Sequence, residues 1–208
     1  MKKLESSLLN MTLVLTSVAV IMGAILAYVN ELTSGPISQQ KEKALADGIK
    51  SVMVSDDIVV AQVDTVKHFD AKGKQLTYII YNTEDGNGNA LGAAVQSTTG
   101  GFGGDLKVLV GFDNAGNILG YTLLEHQETP GLGAKADKWF QQGEKGDIIG
   151  KNPQTPLSVS KDGGEVDAIT ASTITSRAFL LAVNNAYNAY KATPVDGQTG
   201  ATQKETTD

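Results

Sequence analysis

The chain opens with a long apolar segment that is a candidate membrane span. Leu8 to Val29 contains no charged residue. These are about 22 positions, which as a helix measure about 33 Å, enough to cross a hydrocarbon core of about 30 Å. Tyr28 stands where an interfacial aromatic residue is expected. The pattern predicts a single transmembrane helix.

A cleaved signal peptide and a buried core helix are the competing interpretations of this segment. A signal peptide has an apolar region of about 7–15 residues followed by a small-residue cleavage site, and residues 28–31 offer no such site. A helix that packs on the surface of a globular domain keeps a polar face, whereas this segment is apolar on every side. Lys2 and Lys3 precede the segment. They predict an N-terminus in the cytoplasm and a main domain on the opposite side of the membrane.

Beyond the apolar segment, the spacing of apolar residues predicts strands in the middle of the chain and helices at its ends. Pro36 is well placed to start a helix that ends near Val54. Three strand-like runs and two runs that alternate predict five strands. Gly86–Asn89 is a turn signal, and Asp113–Asn117 has the composition of a hairpin connection. This order predicts an α+β fold with an antiparallel sheet rather than βαβ units. The predicted strands are 58–66, 76–81, 90–97, 107–112 and 118–124, and the later helices are 135–142 and 173–192.

These patterns divide the chain into three parts. Residues 1–29 form the cytoplasmic N-terminus and the membrane anchor, and residues 30–192 form the extracytoplasmic domain. Residues 193–208 are rich in Thr, Gly, Gln and charge. With nothing bulky to bury, this tail is expected to be disordered.

Composition excludes several classes of function. The 208 residues carry 17 Lys and Arg against 23 Asp and Glu, a net charge of −6, which argues against a nucleic-acid partner. The chain has no cysteine, so disulfides, thiolate metal sites and cysteine nucleophiles are excluded. His68 and His126 are the two histidines, too few for a three-histidine metal site. Any redox chemistry therefore requires an organic cofactor.

Hydroxyl side chains crowd the predicted start of the last helix, in the segment Asp167–Ser176. A helix start exposes unpaired N–H groups and a partial positive charge, which suit a phosphate. One hydroxyl there would mean only an N-cap, but five in seven residues exceed what a cap needs. They are Thr170, Ser172, Thr173, Thr175 and Ser176.

A second segment, His126–Gly133, joins a predicted strand to a short helix that contains Trp139 and Phe140. One proline and two glycines make a tight loop whose backbone can lie against a planar ring. A structural turn with an exposed histidine is the alternative interpretation. The glycine-rich run Thr99–Gly104 has two possible roles, as a backbone contact to the cofactor or as a flexible loop. His68 is expected to be structural.

The segment Asp167–Thr173 resembles the flavinylation motif of the FMN-binding domain family, in which an Asp lies six residues before an acceptor Thr. The resemblance implies that Thr173 carries FMN through a phosphoester bond made by a separate flavin transferase that uses FAD. Asp167, Thr170, Ala171 and Ser172 would complete the motif. Ala171 stands where the family usually has Gly, and Ser172 where it usually has Ala. Ser172 thus places a second hydroxyl beside the expected acceptor.

Glu128–Gly133 is similar to a second signature of the same family, in which this loop lies beside the flavin. The resemblance implies that Glu128, Thr129, Gly131 and Leu132 bind the cofactor. No acid–base or nucleophilic role is assigned to His126 or Glu128, and no residue is assigned as catalytic.

One membrane span, an exported domain, no cysteine and both signatures together resemble the G subunits of Rnf electron-transport complexes. That resemblance implies an electron relay rather than an enzyme on its own, acting between ferredoxin and NAD beside other membrane subunits. The C subunits of sodium-translocating NADH:quinone reductases share the pattern and are the nearest alternative. A tethered non-redox module for a phosphorylated ligand and a soluble flavoprotein released after signal cleavage are two further alternatives.

Overall fold

The computed structural model describes three stretches of the chain and, within them, the side chains of all residues except His68 and Phe69. The predictions for Lys2, Lys3 and the tail 193–208 lie outside the described residues. Contacts within the chain form two units that divide between Ala44 and Leu45. The described stretches are 8–55, 57–69 and 75–191.

The first helix, α1, spans Leu8–Met53 and contains the predicted membrane span. By length and composition this helix can cross a membrane. The predicted helix start at Pro36 is wrong, because Pro36 lies inside α1. A proline inside a helix removes one backbone hydrogen bond, and α1 continues through Pro36 to Met53 without it.

Five strands form one antiparallel sheet in sequential order. The strand predictions are confirmed, and each observed strand is longer than its apolar run. Both predicted turns are closed by hydrogen bonds, from the Asp85 N–H to the Asn89 oxygen at 2.9 Å and from the Asp113 N–H to the Asn117 oxygen at 3.0 Å. The strands are β1 Val59–Phe69, β2 Gln75–Glu84, β3 Ala90–Gly100, β4 Asp105–Asp113 and β5 Ile118–Glu125.

The last helix, α3, spans Thr173–Tyr190, and it packs against β3 and β4. It starts where the hydroxyl-rich segment predicts and ends at Tyr190 rather than at residue 192. The predicted helix 135–142 is shorter in the structure, because a 3₁₀ turn leads into α2 at Ala136–Trp139. Beyond Trp139 the chain folds into successive turns, with the Gln141 N–H donating to the Lys138 oxygen at 3.1 Å.

The sheet is buried on both faces, which explains why β4 is apolar at successive positions rather than at every second one. On one face Val108, Val110 and Phe112 join the core formed with α3. On the other face Leu109 packs in a smaller core with Ile49 and its neighbours from the end of α1. Alternate residues of β4 therefore serve opposite cores.

Two glycines let the end of α1 approach the sheet closely. Gly111 of β4 pairs with Gly120 of β5. A Cβ on Gly111 would collide with the Val52 carbonyl oxygen, and one on Gly120 would lie 2.9 Å from the same atom. The close approach buries Val52 completely. Small residues at this strand pair are thus a packing requirement of the fold.

We expect Gly111→Ala to lower the free energy of unfolding of the folded domain by about 1–3 kcal/mol, because the added methyl overpacks the contact with Val52. Urea unfolding followed by circular dichroism in detergent measures the change. Gly86→Ala is the matched control, since a Cβ there meets no atom within 4 Å. Equal midpoints for the two variants would contradict the proposed close contact.

Candidate functional site

The two sequence signatures line one cavity of about 390 Å³ at the start of α3. Its walls come from three places in the chain: the β3–β4 loop, the loop after β5, and the segment that begins α3. Residues about 40 positions apart in sequence are therefore neighbours in space. The lining residues are Phe102, Glu128, Thr129, Leu132, Gly133, Ala171, Ser172, Thr173, Ile174 and Thr175.

The Glu128 carboxylate connects all three walls. One oxygen accepts a hydrogen bond from the Phe102 backbone N–H at 2.8 Å. The other accepts one from the Thr175 hydroxyl at 2.9 Å. Glu128 is only 6% exposed, and a buried carboxylate is stable only when its oxygens are hydrogen-bonded. Glu128 lines the cavity, and it also links the β3–β4 loop to α3. The sequence did not indicate this second, structural role.

Two glycines make room for that carboxylate. A Cβ on Gly101 would collide with one Glu128 oxygen, and a Cβ on Gly133 would collide with the other. Gly131, in the loop that carries Glu128 and Gly133, has φ of 77°, a conformation that favours glycine. The glycine-rich run after β3 is thus held against Glu128, and it places the ring of Phe102, 68% exposed, at the cavity.

The crowded hydroxyls at the start of α3 have different tasks. Ser176 Oγ accepts a hydrogen bond from the Ile169 N–H at 2.9 Å and donates one to the Ser172 oxygen at 3.0 Å. Thr175 is committed to Glu128. Two of the five hydroxyls therefore build the local fold, which explains part of the excess over a simple N-cap.

Thr173 and Ser172, the two candidate acceptors, differ in exposure. Ser172 is 8% exposed and is the N-cap residue of α3, yet its side chain makes no capping hydrogen bond. Thr173 is half-buried and begins the helix. Its Oγ1 lies 3.4 Å from the Lys161 ammonium, which donates to it. Thr173 is thus the more accessible hydroxyl of the two and the one beside a cation.

Ala171 has a left-handed backbone with φ of 61°. A residue with a Cβ is disfavoured there by about 1–2 kcal/mol, whereas glycine is not. The position at which the family motif usually has Gly is therefore one whose backbone favours Gly. Ala171 adopts the same turn at a conformational cost.

Three predicted residues, Asp167, Thr170 and Gly131, do not line the cavity. Asp167 is exposed, and its backbone oxygen accepts a hydrogen bond from Trp139 Nε1 at 2.8 Å. Its carboxylate accepts one from Ser160 Oγ at 3.3 Å. Thr170 is exposed. Asp167 thus lies in the polar surroundings of the site, outside the cavity wall.

Sequence reasoning missed the 3₁₀ turn Ser160–Asp162. The Arg177 guanidinium binds the Asp162 carboxylate through two contacts of 2.6 and 2.7 Å. That hydrogen bonding raises the pKa of Arg177. No periodic pattern marks three residues in a loop, so the sequence alone carried no signal for this turn.

His126 does not line the cavity. Its Nδ1 accepts a hydrogen bond from the Glu128 N–H at 3.3 Å, which shapes the loop. The backbone of His68 lies in β1. Phe140 is fully buried and stacks on Phe179 with 4.3 Å between ring centroids, so it belongs to the core. In the described ranges no group of three His, Asp or Glu side chains could hold a metal ion.

Comparisons with known proteins identify the family to which this part of the chain is similar. A family model described as an FMN-binding domain matches residues 101–188, which include every lining residue of the cavity. The G subunit of the ion-translocating oxidoreductase complex of Vibrio cholerae serotype O1 (strain M66-2) is 35% identical over 181 residues, covering 84% of this chain and 86% of the relative.

Two further relatives carry the same name. The Yersinia pestis protein is 36% identical over 168 residues, covering 77% of this chain and 79% of its own. The Shewanella piezotolerans protein is 30% identical over 200 residues, covering 90% and 93%. The chain therefore belongs to the family of G subunits of ion-translocating, Rnf-type oxidoreductase complexes and contains an FMN-binding domain.

Proposed function

We propose that this chain is the electron-relay subunit of an Rnf-type complex that works between ferredoxin and NAD, with FMN bound covalently to Thr173. The observation that carries the proposal is the meeting of both signatures at one cavity beside the Thr173 hydroxyl. Membership in the family of G subunits and the FMN-binding domain support the cofactor's identity. Other subunits of the complex are the expected electron partners.

The residues at the cavity fit a flavin nucleotide. Leu132, Ile174 and Phe102 supply apolar surface of the kind that covers a planar ring. Thr173, Ser172 and Thr129 supply polar atoms at the same cavity. The start of α3 favours negative charge through its unpaired N–H groups. FMN supplies the redox chemistry when bound, and the chain's residues orient it and exclude water from it.

Attachment follows from the chemistry of the Thr173 hydroxyl. Its Oγ1 would bond to the phosphorus of the FMN half of FAD, while the pyrophosphate bond would break and AMP would leave. The hydroxyl proton would pass to a base of the flavin transferase, the partner that maturation would require. A covalent bond prevents the loss of FMN to a large external volume. Asp167, the first residue of the motif, is exposed and is therefore accessible to that transferase.

The apolar helix α1 and the family membership indicate a single-pass membrane protein. We further propose that the span lies in the inner membrane and that the FMN domain, residues 30–192, lies on the periplasmic face. The support is the pair Lys2 and Lys3 before the span, since positive residues favour the cytoplasmic side. Residues 1–29 are the proposed anchor region.

Thr173→Val is expected to abolish covalent flavin while leaving the fold intact, because valine keeps the β-branched shape and lacks the oxygen. The measurement is in-gel flavin fluorescence of the denatured chain after coexpression with a flavin transferase. Ser172→Ala is the matched control and is expected to stay fluorescent. A fluorescent Thr173→Val variant with a dark Ser172→Ala variant would assign the acceptor to Ser172 instead.

The absence of cysteine allows a direct test of orientation. A single cysteine in place of Asn87, an exposed residue in the β2–β3 turn, is expected to react with a membrane-impermeant maleimide in spheroplasts. A cysteine in place of Ser6, before the span, is expected to react only after lysis. Gel-shift labelling measures both variants. The reverse pattern would contradict the proposed periplasmic domain.

A further inference from the structure

The three successive residues of the turn Ser160–Asp162 contact the motif Asp167–Thr173 and helix α3. Ser160 Oγ donates to the Asp167 carboxylate at 3.3 Å, and the Lys161 ammonium donates to Thr173 Oγ1 at 3.4 Å. Asp162 binds Arg177 of α3. Each residue of the turn thus contacts a different residue of the motif or of α3.

The turn is fixed in place by backbone and ionic contacts. The Ser160 N–H donates to the Val166 oxygen at 2.8 Å, and the Val166 N–H donates to the Ser158 oxygen at 3.2 Å. The side chains of the Asp162–Arg177 pair are only 21% and 22% exposed. A bidentate guanidinium–carboxylate pair specifies geometry as well as energy. Lys161 therefore extends from a constrained backbone rather than from a loose loop.

The charge of Lys161 lacks a carboxylate partner. Throughout the described part of the chain, no Asp or Glu oxygen lies within the 4.0 Å that defines an ion pair with its ammonium. The adjacent Asp162 is committed to Arg177, and Asp167 accepts from Ser160. The contact that the ammonium makes is with the neutral oxygen of Thr173, so its positive charge is available to an anion.

We propose that Lys161 is a positioning residue that binds the phosphoryl group on Thr173 and directs its attachment. This inference rests on the proposed function. The ester oxygen is Thr173 Oγ1 itself, so the charged oxygens on the same phosphorus fall within reach of an ammonium 3.4 Å from it. A phosphodiester keeps one negative charge, which a lysine neutralises through a charge-assisted hydrogen bond. Ser172 has no such contact among the described residues and makes no capping bond, which favours reaction at Thr173.

The test uses the full-length chain, produced without flavin transferase and then mixed with purified transferase and FAD. Lys161→Ala is expected to slow the appearance of covalent flavin about three- to tenfold, the size expected for losing a charged hydrogen bond at an exposed site. Lys161→Arg keeps the charge and is expected to restore most of the rate. Lys67→Ala removes an exposed lysine on β1 and is the matched control, with no change expected.

A second readout separates phosphate binding from a purely structural role. The phosphorus NMR resonance of the flavinylated chain is expected to shift in Lys161→Ala and to stay in place in Lys67→Ala. Thermal unfolding midpoints of both variants are expected to match the unmodified sequence.

Three outcomes would overturn the proposal. If Lys161→Ala acquires flavin at the unsubstituted rate and its phosphorus resonance does not shift, the role of Lys161 is contradicted, whereas flavin attachment at Thr173 is not. Slowing in both Lys161 variants with a lowered midpoint would assign Lys161 a structural role instead. An unsubstituted chain that never acquires flavin would overturn the proposed function, and this inference with it.

Discussion

The buried carboxylate of Glu128 is the interaction on which the site depends. It joins the Phe102 N–H from the β3–β4 loop to the Thr175 hydroxyl of α3. Gly101 and Gly133 leave it just enough room. Removing a partner from a buried charged group leaves an unsatisfied oxygen, which is more costly than the bond is favourable. Because of this single side chain, two distant signatures become walls of one cavity.

The sheet gives that carboxylate a rigid frame. Alternate residues of β4 serve opposite cores, and α3 covers one face while the end of α1 covers the other. Packing along the whole of α3 therefore holds the helix in place. The first residues of α3 face the cavity. A half-buried hydroxyl at a fixed helix start has few orientations to lose, which favours the proposed attachment at Thr173. The Asp162–Arg177 pair adds a second support from outside the cavity.

Periodicity predicted the strands and the start of α3 because both depend on local patterns of burial. It failed at Pro36, where the helix continues since one lost backbone bond does not end it. It also placed the end of α2 too late, because turn-forming contacts after Trp139 leave no periodic trace. The Lys161–Thr173 contact joins residues twelve positions apart through a loop. No sequence pattern predicts such a contact, and the family motif that indicated Thr173 includes no lysine. Ala171 has a left-handed backbone at the position where the family motif usually has Gly.

One chemical bond is therefore central to the proposed function: an ester between Thr173 Oγ1 and the phosphorus of FMN. Fragment-ion mass spectrometry of the native chain, extracted from membranes and digested, tests it most directly. The peptide containing Thr173 is expected to carry the mass of FMN less one water, located on that threonine. Recovery of the same peptide without any added mass would contradict the proposed bond.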